Sequence, residues 1–168
     1  MKKLMIPFLF IVINLNAQSD SSFKRHSVTY FGTLGAGGFN TKDYRYFTFQ
    51  SAFHYTYFVN KRIGFGGEIN FQNTSSKYIS LSDINAIGFI RINLIRNFYT
   101  ELGILANKNL YNTFGTNPKV NFNFYAAVGY ELKIKKNWFI NFQVRTTPTN
   151  THNRGVGITP MIGIGLKF

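Results

Sequence analysis

The sequence predicts an all-β chain: an eight-stranded antiparallel up-and-down transmembrane β-barrel that follows an N-terminal signal peptide. Three observations predict it. Eight segments carry apolar residues at every second position, the period of a strand with one apolar face. The connections between them alternate between short and long. The last segment, Ile162 to Phe168, is apolar at every even position and small or charged at every odd one, and it closes on an aromatic residue.

The leader comes first. Met1-Lys2-Lys3 is positive, Leu4 to Leu15 is apolar apart from Pro7 and Asn14, and Ala17 offers a small residue for cleavage. The run is shorter than the roughly 17–25 residues that a spanning helix needs, so it reads as a secretory signal peptide. Residues 1–17 are thus expected to be the signal, 18–25 a short periplasmic segment and 26–168 the barrel. No later stretch is long and apolar enough for a helical span, so insertion has to use strands.

Composition narrows the function classes. The chain has no cysteine, which excludes disulfides and lipoprotein acylation. It carries 19 Lys and Arg against 6 Asp and Glu, a net +13. Without Lys2 and Lys3 this becomes 17 against 6, a net +11. Behind an export signal that charge points to an anionic lipid surface such as lipopolysaccharide phosphates, not to nucleic acid. Aromatic content of 18% suits strands and interfacial girdles.

Each strand can be justified in turn. The first, His26 to Phe39, places Val28, Tyr30, Leu34 and Ala36 on one face and Gly35 and Gly37 on the other. The second, Tyr46 to Val59, opposes Phe47, Phe49, Phe53, Tyr55 and Tyr57 to Thr48, Gln50, Ala52, His54 and Thr56. The third opposes Ile63, Phe65, Ile69 and Phe71 to Gly64, Gly66, Glu68, Asn70 and Gln72. The fourth, Ser82 to Leu94, is the least regular, because Ile87 and Phe89 break its alternation and suggest a bulge. The fifth sets Leu102, Ile104 and Ala106 against Tyr99, Glu101, Gly103 and Asn107. The sixth, Lys119 to Ile134, holds the longest apolar row, from Val120 through Phe122 and Phe124 to Ile134. The seventh sets Ile140, Phe142 and Val144 against Asn141, Gln143 and Arg145, and the eighth runs from Gly157 to Phe168.

Connections after the even strands are expected to span two or three residues. Those after the odd strands should be long, as in Asn73 to Leu81 and Asn107 to Pro118. An even strand count puts both termini on the side of the short turns.

The polar rows decide which face is inside. A soluble lipocalin-like ligand carrier would also alternate, but its outer row should be rich in Lys and Glu. Here the polar rows are mostly Gly, Ala, Asn, Thr and Gln, which suit the cramped interior of an eight-stranded barrel. Glu68, Arg91, Glu101, Glu131 and Arg145 all fall on those rows, the first four a few residues above the short turns and Arg145 somewhat higher. They are expected to pair as a lumen charge network that plugs the barrel, since unpaired buried charges cost several kcal/mol each. Lys42, Arg45, Lys77, Lys119 and Arg154 fall in or beside the long loops and are the candidates for lipopolysaccharide contact.

With these features together, the chain resembles small bacterial outer-membrane barrels of the OmpA/OmpX type and the broader outer-membrane β-barrel domain group. The resemblance covers the whole mature sequence but no motif singles out a subfamily. It implies a monomer in the bacterial outer membrane with periplasmic termini. It also implies Phe168 as a barrel-assembly signal read by the assembly machinery. No peptidoglycan-binding segment is expected after Phe168, and no metal or cofactor. Some small barrels modify lipid A with His, Ser and an acid. Only His26, His54 and His152 are available here, and only His152 falls on the outer side, with no acid beside it in sequence. The expected role is therefore structural or interactive at the cell surface. Eight strands also enclose too little space for an open pore.

Overall fold

The structure, a computed structural model, describes residues 23–38, 45–76, 80–95, 97–112, 120–148 and 156–168. They form eight strands: β1 (His26–Gly38), β2 (Arg45–Phe58), β3 (Ile63–Ser76), β4 (Ser80–Asn93), β5 (Phe98–Asn112), β6 (Val120–Lys133), β7 (Trp138–Pro148) and β8 (Val156–Lys167). Each pairs antiparallel with the next, and β8 closes on β1. The shortest strand has 11 residues and the longest 15, enough to cross a bilayer at a tilt.

The two-residue repeat sorts the side chains cleanly. Apolar residues point outward, with Phe65 49%, Ile104 63% and Phe122 73% exposed. The opposite row is buried in the lumen and holds Gln50, His54, Asn70, Arg91 and Glu101. This is the reverse of a soluble carrier, whose apolar face turns inward, so the lipocalin-like alternative is set aside. An apolar outside with a polar inside is the arrangement that lipid selects, because lipid offers no partner for polar groups.

An aromatic cluster marks the end where the chain enters and leaves the barrel. His26 and Phe168 exchange both backbone hydrogen bonds at 2.9 Å, and their rings stack at 5.4 Å. His26 also bonds the Tyr55 hydroxyl at 2.8 Å and lies against Tyr57, while Phe98 and Tyr130 meet at 4.8 Å. Such rings suit the boundary between hydrocarbon and water. Phe23, ahead of β1, contacts the Phe58 ring edge-on, and Arg25 O accepts from Phe58 N.

Four sequence expectations change. The short connections are four residues each, 59–62, 94–97 and 134–137, not two or three. Most of Asn73 to Leu81 is strand, because β3 ends at Ser76 and β4 begins at Ser80. Its Asn, Ser and Thr side chains stitch extended strands together: Asn73 donates to the Ser82 hydroxyl at 3.0 Å, and the Thr48 and Thr74 hydroxyls meet at 3.1 Å. Hydrophilic composition marked the end of the apolar belt there, not the end of the sheet. Similarly β5 runs to Asn112, so the start of the expected Asn107 to Pro118 loop is strand.

The expected bulge at Ile87 and Phe89 is absent. Pairing between β4 and β5 is unbroken from Asp83↔Asn109 to Asn93↔Tyr99, and the register shift lies at Ser82/Asp83. Ile87 and Phe89 belong to the lumen row and are buried. The alternation looked broken only because part of the lumen is itself apolar.

That apolar lumen follows a rule. Every buried aromatic of the lumen faces a glycine directly across the ladder: Phe31↔Gly163, Phe58↔Gly64, Phe89↔Gly66, Tyr99↔Gly129, Tyr125↔Gly103 and Phe139↔Gly165. At Gly64, Gly66, Gly129, Gly163 and Gly165 the facing ring lies over the space that a side chain would fill, while at Gly103 the backbone of Gly88 and Phe89 fills it. A Cβ on Gly129 would come 2.2 Å from the Tyr99 ring, and one on Gly165 2.1 Å from Phe139. Large and small residues thus share a narrow interior.

Candidate functional site

The buried charges form one connected chain across the lumen. Arg145 on β7 pairs with Glu68 on β3. Glu68 Oε2 accepts from His54 Nδ1 at 3.0 Å, on β2. The other ring nitrogen of His54, Nε2, lies 3.3 Å from Glu101 Oε1 on β5. Glu101 faces Arg91 of β4 at 3.8 Å. Arg91 pairs with Glu131 on β6 at 2.5 Å, and Glu131 with Lys167 on β8. Seven strands contribute a titratable group, and β1 contributes Phe31, whose ring lies against both His54 and Arg145.

Neutral groups complete the shell. Glu101 Oε2 accepts from the Tyr125 hydroxyl at 3.0 Å and from Gln143 Nε2 at 2.8 Å. The Tyr99 hydroxyl donates to Asn141 at 2.8 Å and accepts from Gln143 at 3.1 Å. Asn70 donates to Glu68, and Thr56 contacts His54 Nε2. Aromatic faces hold the charged planes in place. His54 stacks on Phe89 at 4.4 Å, and the Arg91 guanidinium sits 3.5 Å from the Tyr99 ring centre. Except for Lys167, which is partly exposed, the charged side chains are almost wholly buried. A set of this kind is stable only when each charge has a partner, and here each has at least one.

The structure brings together all five residues that the sequence singled out: Glu68, Arg91, Glu101, Glu131 and Arg145. Two members were not assigned to the network from sequence. His54 was placed on the lumen row without a role, yet it bridges two carboxylates. Lys167 was read only as part of the terminal strand. The alternation put both on the inner face, but their partners lie on other strands, and that requires the register of the whole barrel.

Of the basic candidates, Lys42, Lys77, Lys119 and Arg154 lie outside the described residues, as does His152. Arg45 is the first residue of β2, its backbone paired with Gly38 at the end of the barrel opposite the termini. Phe168 sits on the outward row beside His26, half exposed, at the end of the short connections.

No protein-family model matches the sequence, and no curated protein matches it significantly. Among solved structures, the chain is similar to the outer membrane protein OprG from Pseudomonas aeruginosa, with a TM-score of 0.56. That alignment covers 86% of this chain and 96% of OprG at 10% identity. It is also similar to the Yersinia pestis outer membrane protein Ail, with a TM-score of 0.51 and 13% identity, over 86% of this chain and 100% of Ail. The fold is that of small outer-membrane barrels. At such identities the likeness carries the barrel architecture, while the side chains inside this barrel speak for themselves.

Proposed function

We propose that this chain is an integral protein of the bacterial outer membrane whose barrel is closed to solutes. Its task then lies at its surface, where it presents the segments around residues 39–44, 113–119 and 149–155 to the cell exterior. Both termini and the four-residue connections face the periplasm in this reading. The observation that carries it is the charge chain from Arg145 to Lys167, which spans the lumen at the level of β2 to β8. Opening a water path there would separate buried ion pairs, at a cost of several kcal/mol for each one broken.

The basic residues Lys42, Arg45, Lys77, Lys119 and Arg154 would then meet lipopolysaccharide phosphates around the outer rim. Charge attraction at a lipid surface supports this role, each Lys or Arg contributing about 1 kcal/mol. Phe168 serves recognition by the barrel-assembly machinery. In this reading the protein works as a monomer and carries out no chemistry on lipid A: His54 is enclosed by its partners, His26 belongs to the terminal girdle, and His152 has no acid beside it in sequence.

Cell fractionation combined with protease access tests this directly. An epitope inserted between residues 113 and 119 should be cut by protease added to intact cells, with the protein recovered in the outer-membrane fraction. Recovery in a detergent-free periplasmic extract would overturn the membrane reading. Protection of the epitope until the outer membrane is permeabilised would overturn the orientation.

A further inference from the structure

The end of the barrel that carries the termini is densely basic. Lys24 and Arg25 precede β1, and Lys61 and Arg62 lie in the connection 59–62. Lys133 ends β6, and Lys135 and Lys136 follow in the connection 134–137. All of these side chains are exposed. The described acidic side chains, Glu68, Asp83, Glu101 and Glu131, are all buried. Among the described residues, this face thus presents cations with no exposed acidic side chain between them.

Backbone hydrogen bonds set these residues in one arc. Phe58 N donates to Arg25 O at 2.7 Å, and Asn93 N donates to Arg62 O at 2.7 Å. The Asn60 side chain accepts from Arg62 N and Ile63 N, each at 2.8 Å. Ile134 N donates to Trp138 O at 2.9 Å, and Lys167 N to Asn137 O at 2.9 Å. Because β8 closes on β1, the order around the rim runs from 134–137 past β8, β1 and β2 to 59–62. The backbone that carries the cations is therefore ordered before any ligand arrives, which lowers the entropy cost of binding one.

The same connections expose apolar residues. Val59 is 47% exposed and Ile134 51%, while Leu94 and Ile95 of the connection 94–97 are 56% and 72% exposed. Tyr57, Phe98, Tyr130 and Trp138 stand beside them at the strand ends. A turn in open water gains nothing from an isoleucine next to a lysine. At a membrane boundary the two are complementary: the apolar side chain reaches hydrocarbon and the cation reaches headgroup phosphates. A soluble acidic polymer would match the charges but leave the apolar residues in water. Anionic phospholipids match both.

We propose that this arc binds the headgroups of anionic phospholipids in the leaflet around the terminal end and so fixes the depth of the barrel. This rests on the reading of the barrel as a membrane protein, and in the orientation given above the leaflet is the periplasmic one.

The single natural tryptophan, Trp138, directly follows the connection 134–137 and reports on this site. The wild-type barrel is reconstituted into vesicles of phosphatidylcholine with a small fraction of phosphatidylglycerol, and in parallel vesicles one or the other lipid is brominated near the glycerol end of its acyl chains. Trp138 quenching should show phosphatidylglycerol enriched roughly fivefold over the bulk mixture, the ratio that one cation near an anionic surface supports. The enrichment should shrink at high ionic strength. It should vanish in Arg25→Gln/Arg62→Gln/Lys135→Gln/Lys136→Gln, whose folding is verified by heat-modifiable gel migration, with Lys135→Gln/Lys136→Gln in its place if the fourfold variant does not fold. Lys108→Gln, at the other end of the barrel, should keep it. Quenching in proportion to the bulk mixture would overturn the proposal and leave a solvated rim. The same result, together with salt-sensitive co-sedimentation of the protein with isolated peptidoglycan, would overturn it in favour of an acidic wall polymer. Enrichment that survives both charge variants would overturn the assignment to these residues. No quenching by either brominated lipid would instead remove the membrane reading itself.

Discussion

The guanidinium of Arg91 lies 3.5 Å from the centre of the Tyr99 ring, and that ring lies over Gly129 on the next strand. The lower lumen is thus a stack: a glycine, an aromatic ring and a cation whose far side pairs with Glu131. Position 129 controls the charge network although it carries no side chain.

Gly129→Ala is therefore expected to destabilise the barrel. The new Cβ would sit 2.2 Å from the Tyr99 ring, and Tyr99 is pinned by Asn141, Gln143 and Arg91. Overpacking of this kind costs about 1–3 kcal/mol. Urea unfolding from vesicles, followed by gel migration, would measure it. Gly32→Ala is the control, because a Cβ there meets nothing within 4 Å.

Double-mutant cycles should rank the ion pairs by geometry. Arg91→Ala and Glu131→Ala are expected to be coupled by about 0.5–3 kcal/mol. Arg91→Ala and Glu101→Ala should couple less, since the closest approach of that pair is 3.8 Å and Glu101 keeps His54, Tyr125 and Gln143. Strictly additive losses in the first cycle would contradict a connected network.

How far the sequence foretold this site depends on what a single strand can reveal. Alternation assigned Glu68, Glu101, Arg91, Glu131 and Arg145 to the inner face correctly, because a strand's faces are a local property. Which inner residues meet is set by strand order and stagger around the closed barrel, so the bridge from Glu68 through His54 to Glu101 was out of reach. Phe31, Phe58 and Phe89 were missed for another reason. Hydropathy assigns a phenylalanine to lipid, and only the facing glycine shows that it points inward. Asn73 to Leu81 read as loop because polar composition marks exposure to water, which the outer ends of β3 and β4 share with true loops.

The outer belt predicts a different sensitivity. Ile104 is 63% exposed in the middle of the apolar row, and its neighbours across the ladders are Gly88 and Phe124. Ile104→Arg should cost about 2–4 kcal/mol in a bilayer. Ile104→Leu should be close to neutral. Equal folding efficiency of both variants in vesicles would argue against lipid contact at this position.

The basic rim makes a prediction outside the barrel wall. Reversing charge at Lys42, Arg45, Lys77, Lys119 and Arg154 together should lower the lipopolysaccharide that co-purifies with the protein, and more so at low ionic strength. Unchanged co-purification would reduce these residues to a solvated edge.

The claim that the lumen is closed by its charge network is tested most directly by single-channel recording in planar bilayers. The wild-type barrel should give no discrete conductance steps. The Glu68→Ala/Arg145→Ala double variant, which removes one end of the network together with its partner, should give small, frequent ones. Steps of the same size and frequency from the wild-type protein would contradict the account.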